Sequence, residues 1–247
     1  SIKRDEKVLK EIIKPKDDLI KELYKDNLSL HKEISRQSKV VDEAVKYQKE
    51  REKILASLEL SERRMKHTLG VEEAAIELAA RYCPQIGREE VSAAALLHDS
   101  TKELSDAEQL ELCDRLGITL TAQERMCVRP LHGLSAAELA RRRFGLPGRV
   151  LSAIRRHSTL CADYTPFDAV LFLADYTEKN RTSFCCVRCR EYYGGLYAAG
   201  DKFALEKALL FGLDGVIAEN LDRGGIILED TFQARNAVIY KLKGAEE

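Results

Sequence analysis

The stretch Leu96-Leu97-His98-Asp99-Ser100-Thr101-Lys102 sets an imidazole, a carboxylate and an amine directly after an apolar run. An interior has no use for two adjacent polar groups unless a metal, a hydrogen-bonding partner or solvent meets them. With five His and 15 Asp in 247 residues, chance alone gives about 0.3 His-Asp doublets, so the doublet by itself decides little. Its weight depends on what the rest of the chain can bring to it.

Working outward, the chain from Ser57 reads as helix after helix. Ser61 caps a helix running to about Tyr82, and residues 88–98 form the next. Ser105-Asp106-Ala107-Glu108 and Thr121-Ala122-Gln123-Glu124 are capping boxes, with Gly117 as a stop signal. Residues 133–143 form a helix stopped by Gly145. Pro147 opens one that ends near His157, and Thr165-Pro166 caps the most apolar helix of the chain. Asp201 to Leu221 and Thr231 to Leu242 complete the set. The one candidate strand is Ile226-Ile227-Leu228. These signals predict an all-α domain over residues 57–247.

Residues 1–56 differ in composition, being rich in Lys and Glu and free of Gly. Pro15, followed by Asp17 and Asp18, reads as a helix start. Leu19, Leu23, Leu30, Ile34, Val41, Val45 and Leu55 follow one helical stripe, interrupted by Asn27, Gln37, Gln48 and Glu52. A helix of about 40 residues, on the order of 60 Å long, is expected. It cannot bury that stripe alone. It needs a partner helix, in a coiled coil that makes the chain a homo-oligomer or folded back as a hairpin; a charged arm or a fused segment is the alternative.

Lys plus Arg number 40 against 41 Asp plus Glu, a net charge of −1. No global field points to DNA or RNA as partner. The longest apolar runs, such as 169–174, are too short to span a bilayer, and the charged N-terminus has no secretory apolar region. Seven cysteines at irregular spacings read as reduced thiols in a cytoplasmic protein.

The other histidines give the doublet its meaning. His67 lies mid-helix, His132 precedes a helix, and His157 ends one; His31 lies in the N-terminal segment. Asp175, between Ala174 and Tyr176 in the most apolar helix, is expected to face inward, where a carboxylate needs a cation or strong donors. Four imidazoles and two carboxylates on helices can converge as a bundle-core metal site. Six ligands suit two ions with a shared carboxylate better than one closed tetrahedral ion. Nitrogen and oxygen donors without thiolate favour iron or manganese, with zinc next and magnesium behind.

The order His, His-Asp, His, His, Asp resembles the HD-domain metal-dependent phosphohydrolases. Within them it is closest to the YqeK-type symmetrical diadenosine tetraphosphate hydrolases of bacteria. The resemblance covers roughly residues 57–245 and rests on "HTLGVEEAAIELA", "AALLHDSTK", "LHG", "AIRRHST", "LADYTEKNR" and "FQARNAVIYKL". It implies two divalent metal ions, iron first. One would be held by His67, His98, Asp99 and Asp175, the other by His132 and His157 with Asp99 bridging. It implies Asp99 and Lys102 as catalytic residues, and Lys102, Thr159, Asn180 and Arg181 on the substrate. The implied reaction is cleavage of diadenosine tetraphosphate to two ADP by a hydroxide activated between the ions. Lys102 and Arg181 would offset phosphoryl charge.

The chain departs from the family at Ser158-Thr159-Leu160-Cys161-Ala162, where a Gly is usual. Cys185, Cys186 and Cys189 lack a fourth zinc ligand and read as packing residues. Two rivals stand beside the main reading. One is another HD-domain nucleotide phosphohydrolase, a nucleotidase or cyclic-dinucleotide phosphodiesterase. The other is a non-catalytic helical scaffold.

Overall fold

The structure, a computed structural model, describes the backbone of residues 2–244 and the side chains of residues 16 and 18–244. Among the described residues there are eleven helices and no strand. They are α1 (Ile2–Ala56), α2 (Glu62–Tyr82), α3 (Arg88–Leu97), α4 (Asp106–Arg115), α5 (Ala122–Met126) and α6 (Leu131–Phe144). Then come α7 (Gly148–Arg156), α8 (Pro166–Thr177), α9 (Phe184–Ala198), α10 (Ala204–Asp222) and α11 (Glu229–Lys243). The chain divides into two compact units, Ser1–Glu50 and Arg51–Glu247.

The helix starts are chemical and local. Ser61 accepts from the Arg64 amide at the head of α2. Ser105, Thr121 and Thr165 each close a full capping box with Glu108, Glu124 and Asp168, satisfying amide groups that a helix start leaves without partners. Gly117 and Gly145 take positive φ where α4 and α6 end. α8 is apolar on every side from Ala169 to Ala174 and buried along Phe167–Ala174, as a segment without a polar face must be. It lies at the centre of the second unit, against α2, α7, α9 and α10. Its Leu171 and Leu173 share a core with Val71 of α2, Leu96 of α3, Ile154 of α7 and Leu209 of α10.

The last turn of α1 closes onto this core through Ile54, and Arg51 forks onto the Glu72 carboxylate at 2.7 Å on both nitrogens. Upstream, the first unit is one uninterrupted helix. Pro15 therefore lies inside α1 and does not open it. Its fixed φ is helical, and the cost is the hydrogen bond its missing N–H cannot donate. The hairpin alternative is likewise corrected, because residues 2–56 contain no return.

Two further expectations change. Ile226–Leu228 is irregular, since β-branched residues make a strand only where another strand can pair with them. α9 was not expected from the sequence. Its Phe184, Tyr192 and Tyr197 point outward while Cys186 and Cys189 are buried, so apolar spacing does not mark its inner face. All seven cysteines are free. Among the described residues no cysteine joins a cluster of potential metal ligands, and Cys189 packs with its thiol on the Ala208 carbonyl. No helix among the described residues is long and apolar enough to cross a membrane.

Candidate metal centre

His67 comes from the second turn of α2, His98 and Asp99 follow the end of α3, and His132 sits in the first turn of α6. His157 caps α7, and Asp175 is near the end of α8. Five elements thus converge on one point. Asp99 Oδ1 is 3.1 Å from His132 Nε2 and 3.6 Å from His157 Nε2. Its other oxygen lies 3.4 Å from His98 Nε2 and 3.6 Å from His67 Nε2. Asp175 Oδ1 lies 3.0 Å from His67 Nε2 and 3.8 Å from His98 Nε2. Among the described residues three overlapping groups have ligand atoms within 4.8 Å of one another: His67-His98-Asp99, His98-His157-Asp175 and Asp99-His132-His157.

The rings are held from behind. Carbonyl oxygens only accept, so the Nδ1 of His98, His132 and His157 must carry the proton. They donate it to Ala95, Arg129 and Ile154 at 2.6, 2.8 and 2.7 Å. His67 Nδ1 faces the buried Glu178 carboxylate at 3.1 Å. This fixes the tautomer and turns all four Nε2 lone pairs inward, the arrangement of metal-ligating imidazoles with an outer hydrogen bond. His132 Nε2 and His157 Nε2 then face each other at 2.9 Å, which calls for positive charge between or beside them. The Nε2 atoms of His67 and His98 are buried and make no hydrogen bond of acceptable geometry. Such orphaned nitrogens, beside two carboxylates, fit a divalent cation.

The electrostatics agree. Burial opposes ionisation of Asp99, yet the surrounding histidines hold its carboxyl well below the usual range. Asp175 is held low in the same way, chiefly by Arg181. Burial pulls the His67 imidazolium down, but Asp175 and Asp99 outweigh it and raise it to about 9. Two carboxylates favour positive charge there, whether proton or metal. Burial and Lys102 lower His132 to about 4, and burial lowers His157.

Glycines let the elements close up. A Cβ on Gly70 would overlap the Glu178 carboxylate, and one on Gly133 would sit 2.8 Å from the Arg155 carbonyl. Leu160, three residues after His157, adopts φ +53° in the loop 158–162. The conformation costs about 1–2 kcal/mol for an L-residue, offset by complete burial of its side chain.

Of the residues expected on the substrate, Lys102 and Arg181 line a cavity of about 320 Å³ above Asp99 and Asp175. Lys102 Nζ is 3.2 Å from His132 Nε2, and burial lowers its pKa. Arg181 bonds the Asp175 carboxylate at 2.5 Å. Thr159 lines the cavity, but its hydroxyl donates to the Leu160 carbonyl. Asn180 is not brought to the cavity wall. Its amide binds Glu178 and the Lys66 carbonyl, bracing the support behind His67.

Sequence reasoning missed Arg63, Arg64, Arg129 and Arg223, which also line the cavity, and Glu178 behind it. Arg64 bonds Asp99 at 2.6 Å. Spacing held a signal: Arg64 lies one helical turn before His67 on α2, and Arg129 and Glu178 lie three residues from His132 and Asp175 just outside α6 and α8. A second cavity of about 340 Å³ adjoins the first, sharing Pro130, Thr159 and Leu228.

The HD-domain family matches residues 64–180, a span containing all six converging side chains. A symmetrical bis(5'-nucleosyl)-tetraphosphatase of Halalkalibacterium halodurans is 33% identical over 187 residues, 74% of this chain and 93% of its own length. The chain belongs to the HD-domain family of these tetraphosphatases. A Staphylococcus aureus member is 34% identical over 136 residues, 54% of this chain and 68% of that protein. A solved HD superfamily hydrolase from Clostridium acetobutylicum, described as involved in NAD metabolism, superposes with a TM-score of 0.67. It shares 31% identity, and the match covers 79% of this chain and 97% of that one. The HD region contains all six converging side chains, while α9–α11 lie beyond it and Arg223, which caps the end of α10, lines the cavity.

Proposed function

We propose that this HD-domain protein hydrolyses dinucleoside polyphosphates, with diadenosine tetraphosphate cleaved symmetrically to two ADP. The observation that carries the reading is the set of four imidazoles anchored at Nδ1 and aimed at Asp99 through Nε2. His67, His98, Asp99 and Asp175 would hold one divalent ion. His132 and His157 would hold a second, with Asp99 shared. Nitrogen and oxygen donors without thiolate favour iron, with manganese able to replace it. Bound there, the ions supply acidity to a water and neutralise phosphoryl charge.

The chain's own residues do the rest. Lys102 and Arg181 face the cavity as donors for phosphoryl oxygens, and Arg63, Arg64, Arg129 and Arg223 extend the cationic wall. A substrate with a negative charge on each bridging phosphate matches that wall. Arg64 and Arg181 now bond Asp99 and Asp175, so substrate phosphates would compete for both guanidiniums. The two adjoining cavities give room for two nucleoside ends. Water attacks an inner phosphorus, the bond to the central bridging oxygen breaks, and the leaving ADP departs with the charge that Lys102 and Arg181 offset. The Leu160 loop between the cavities would tune base preference.

A net charge of −1 gives no global positive field to draw in DNA or RNA, which supports a small nucleotide as the partner. Free thiols support the cytoplasm as its compartment. The N-terminal helix offers a means of self-association. Incubation of iron- or manganese-loaded protein with diadenosine tetraphosphate, followed by anion-exchange separation, tests the reaction. ADP as sole product is expected. AMP plus ATP would exclude symmetric cleavage, and intact substrate with a loaded site would point to another nucleotide.

A further inference from the structure

The apolar residues of the first unit follow a stricter rule than one loose stripe. Ile20, Leu23, Asn27, Leu30, Ile34, Gln37, Val41 and Ala44 are spaced alternately three and four residues apart through more than three heptads. The β-branched residues Ile20, Ile34 and Val41 fall at the first position of the repeat, and Leu23 and Leu30 at the fourth. Asn27 and Gln37 occupy seam positions and do not interrupt the pattern. β-branched side chains at a, Leu at d and one Asn at a are the choice that favours two parallel strands and a single register. In the structure Ile20, Leu23, Leu30, Ile34 and Val41 are 56–62% exposed. One straight helix cannot cover its own face.

We propose that residues 20–44 form a parallel, in-register, two-stranded coiled coil with a second copy of this chain. The occupant follows from self-complementarity. In such a pair each residue before an a position faces the residue five further along in the partner. Leu19 meets Tyr24, Asp26 meets His31, Glu33 meets Ser38, and Val40 meets Val45. No like charges meet, and apolar flanks pair with apolar flanks. Asn27 faces its own copy, where two amides can satisfy each other in an otherwise apolar seam. The antiparallel arrangement centred on the same seam also matches apolar layers, but it sets Glu33 against Glu33 and leaves Asp26 facing Val40. The inference rests on the first unit alone and does not depend on the metal centre.

Light scattering and sedimentation equilibrium of the full chain at micromolar concentration give the test. A mass twice the 27.9 kDa chain is expected. Ile34→Asp should return it to a single chain, with the main thermal transition of the second unit unmoved. Orientation is read from a rescue. His31→Glu should weaken the dimer at least tenfold by facing Asp26, and adding Asp26→Lys should restore it. A monomeric wild type, a trimer or tetramer, or an Ile34→Asp variant that stays dimeric would overturn the proposal. A double variant no stronger than His31→Glu would overturn the parallel register.

Discussion

Replacing Gly133 by Ala tests how the proposed metal centre is assembled. Gly133 follows His132 on α6 and lies against the last turn of α7. A Cβ there would sit 2.8 Å from the Arg155 carbonyl oxygen and 3.2 Å from that of Ile154. Both are helix backbone and cannot swing aside. The gap must open by about 0.6 Å before the closer pair reaches ordinary contact. The Ile154 carbonyl is also the acceptor that anchors His157, so the same push acts on both imidazoles whose Nε2 atoms now stand 2.9 Å apart. Overpacking of this kind costs about 1–3 kcal/mol. In a chain of this size that lowers Tm by about 2–4 °C per kcal/mol. Displacing ligands by a good part of an ångström should reduce turnover on the order of 10–100-fold. The assay is paired: metal content by elemental analysis, and hydrolysis at saturating iron or manganese. Gly148→Ala, where an added Cβ meets nothing within 4 Å, is the control and should behave as wild type. A Gly133→Ala protein with both ions and undiminished turnover would refute this account of α6 and α7.

Glu178→Gln keeps the shape behind His67 but removes the carboxylate, and should weaken metal binding about 10–100-fold in a manganese titration; unchanged affinity would remove His67 from the ligand set. Because His67 is raised from 6.5 to about 9, its contribution to the metal-free protein's stability is full below pH 6.5 and lost as pH rises through 9. Metal must displace that proton, so calorimetry near pH 7.5 in buffers of different ionisation enthalpy should report about one proton released, with affinity rising up to pH 9. No buffer dependence would contradict it. Arg223→Ala, on the cavity wall and away from the ligand carboxylates, should raise KM roughly tenfold with kcat little changed; a loss confined to kcat would place Arg223 at the reacting phosphate instead.

The sequence disclosed most where its signals are local. The capping boxes at Ser105 and Thr121 need only neighbours three residues away, and each formed; the cap expected at Thr165 formed too, as a box closed by Asp168. The convergence of His67, His98, Asp99, His132, His157 and Asp175 was legible because polar groups stood at the ends or inward faces of apolar helices. What escaped depends on tertiary context. α9 carries exposed aromatics, two adjacent glycines and buried cysteines, so no apolar stripe announces it. Glu178 and Arg64 read as ordinary charges until α2 and α8 are packed together. The "HTLG" and "LHG" glycines look like sequence punctuation, yet Gly70 and Gly133 are where one helix meets a carboxylate and another meets a carbonyl. The Leu160 loop shows the reverse: a departure visible in sequence whose backbone consequence, a left-handed residue, appears only in the fold.

The central claim is that these six side chains grip a pair of cations. Anomalous diffraction at the iron edge, from crystals of anaerobically loaded protein, addresses it directly. Two peaks are predicted, one among His67, His98, Asp99 and Asp175 and one among His132, His157 and Asp99. A single peak bound by four of these residues, or none within the pocket, would contradict it.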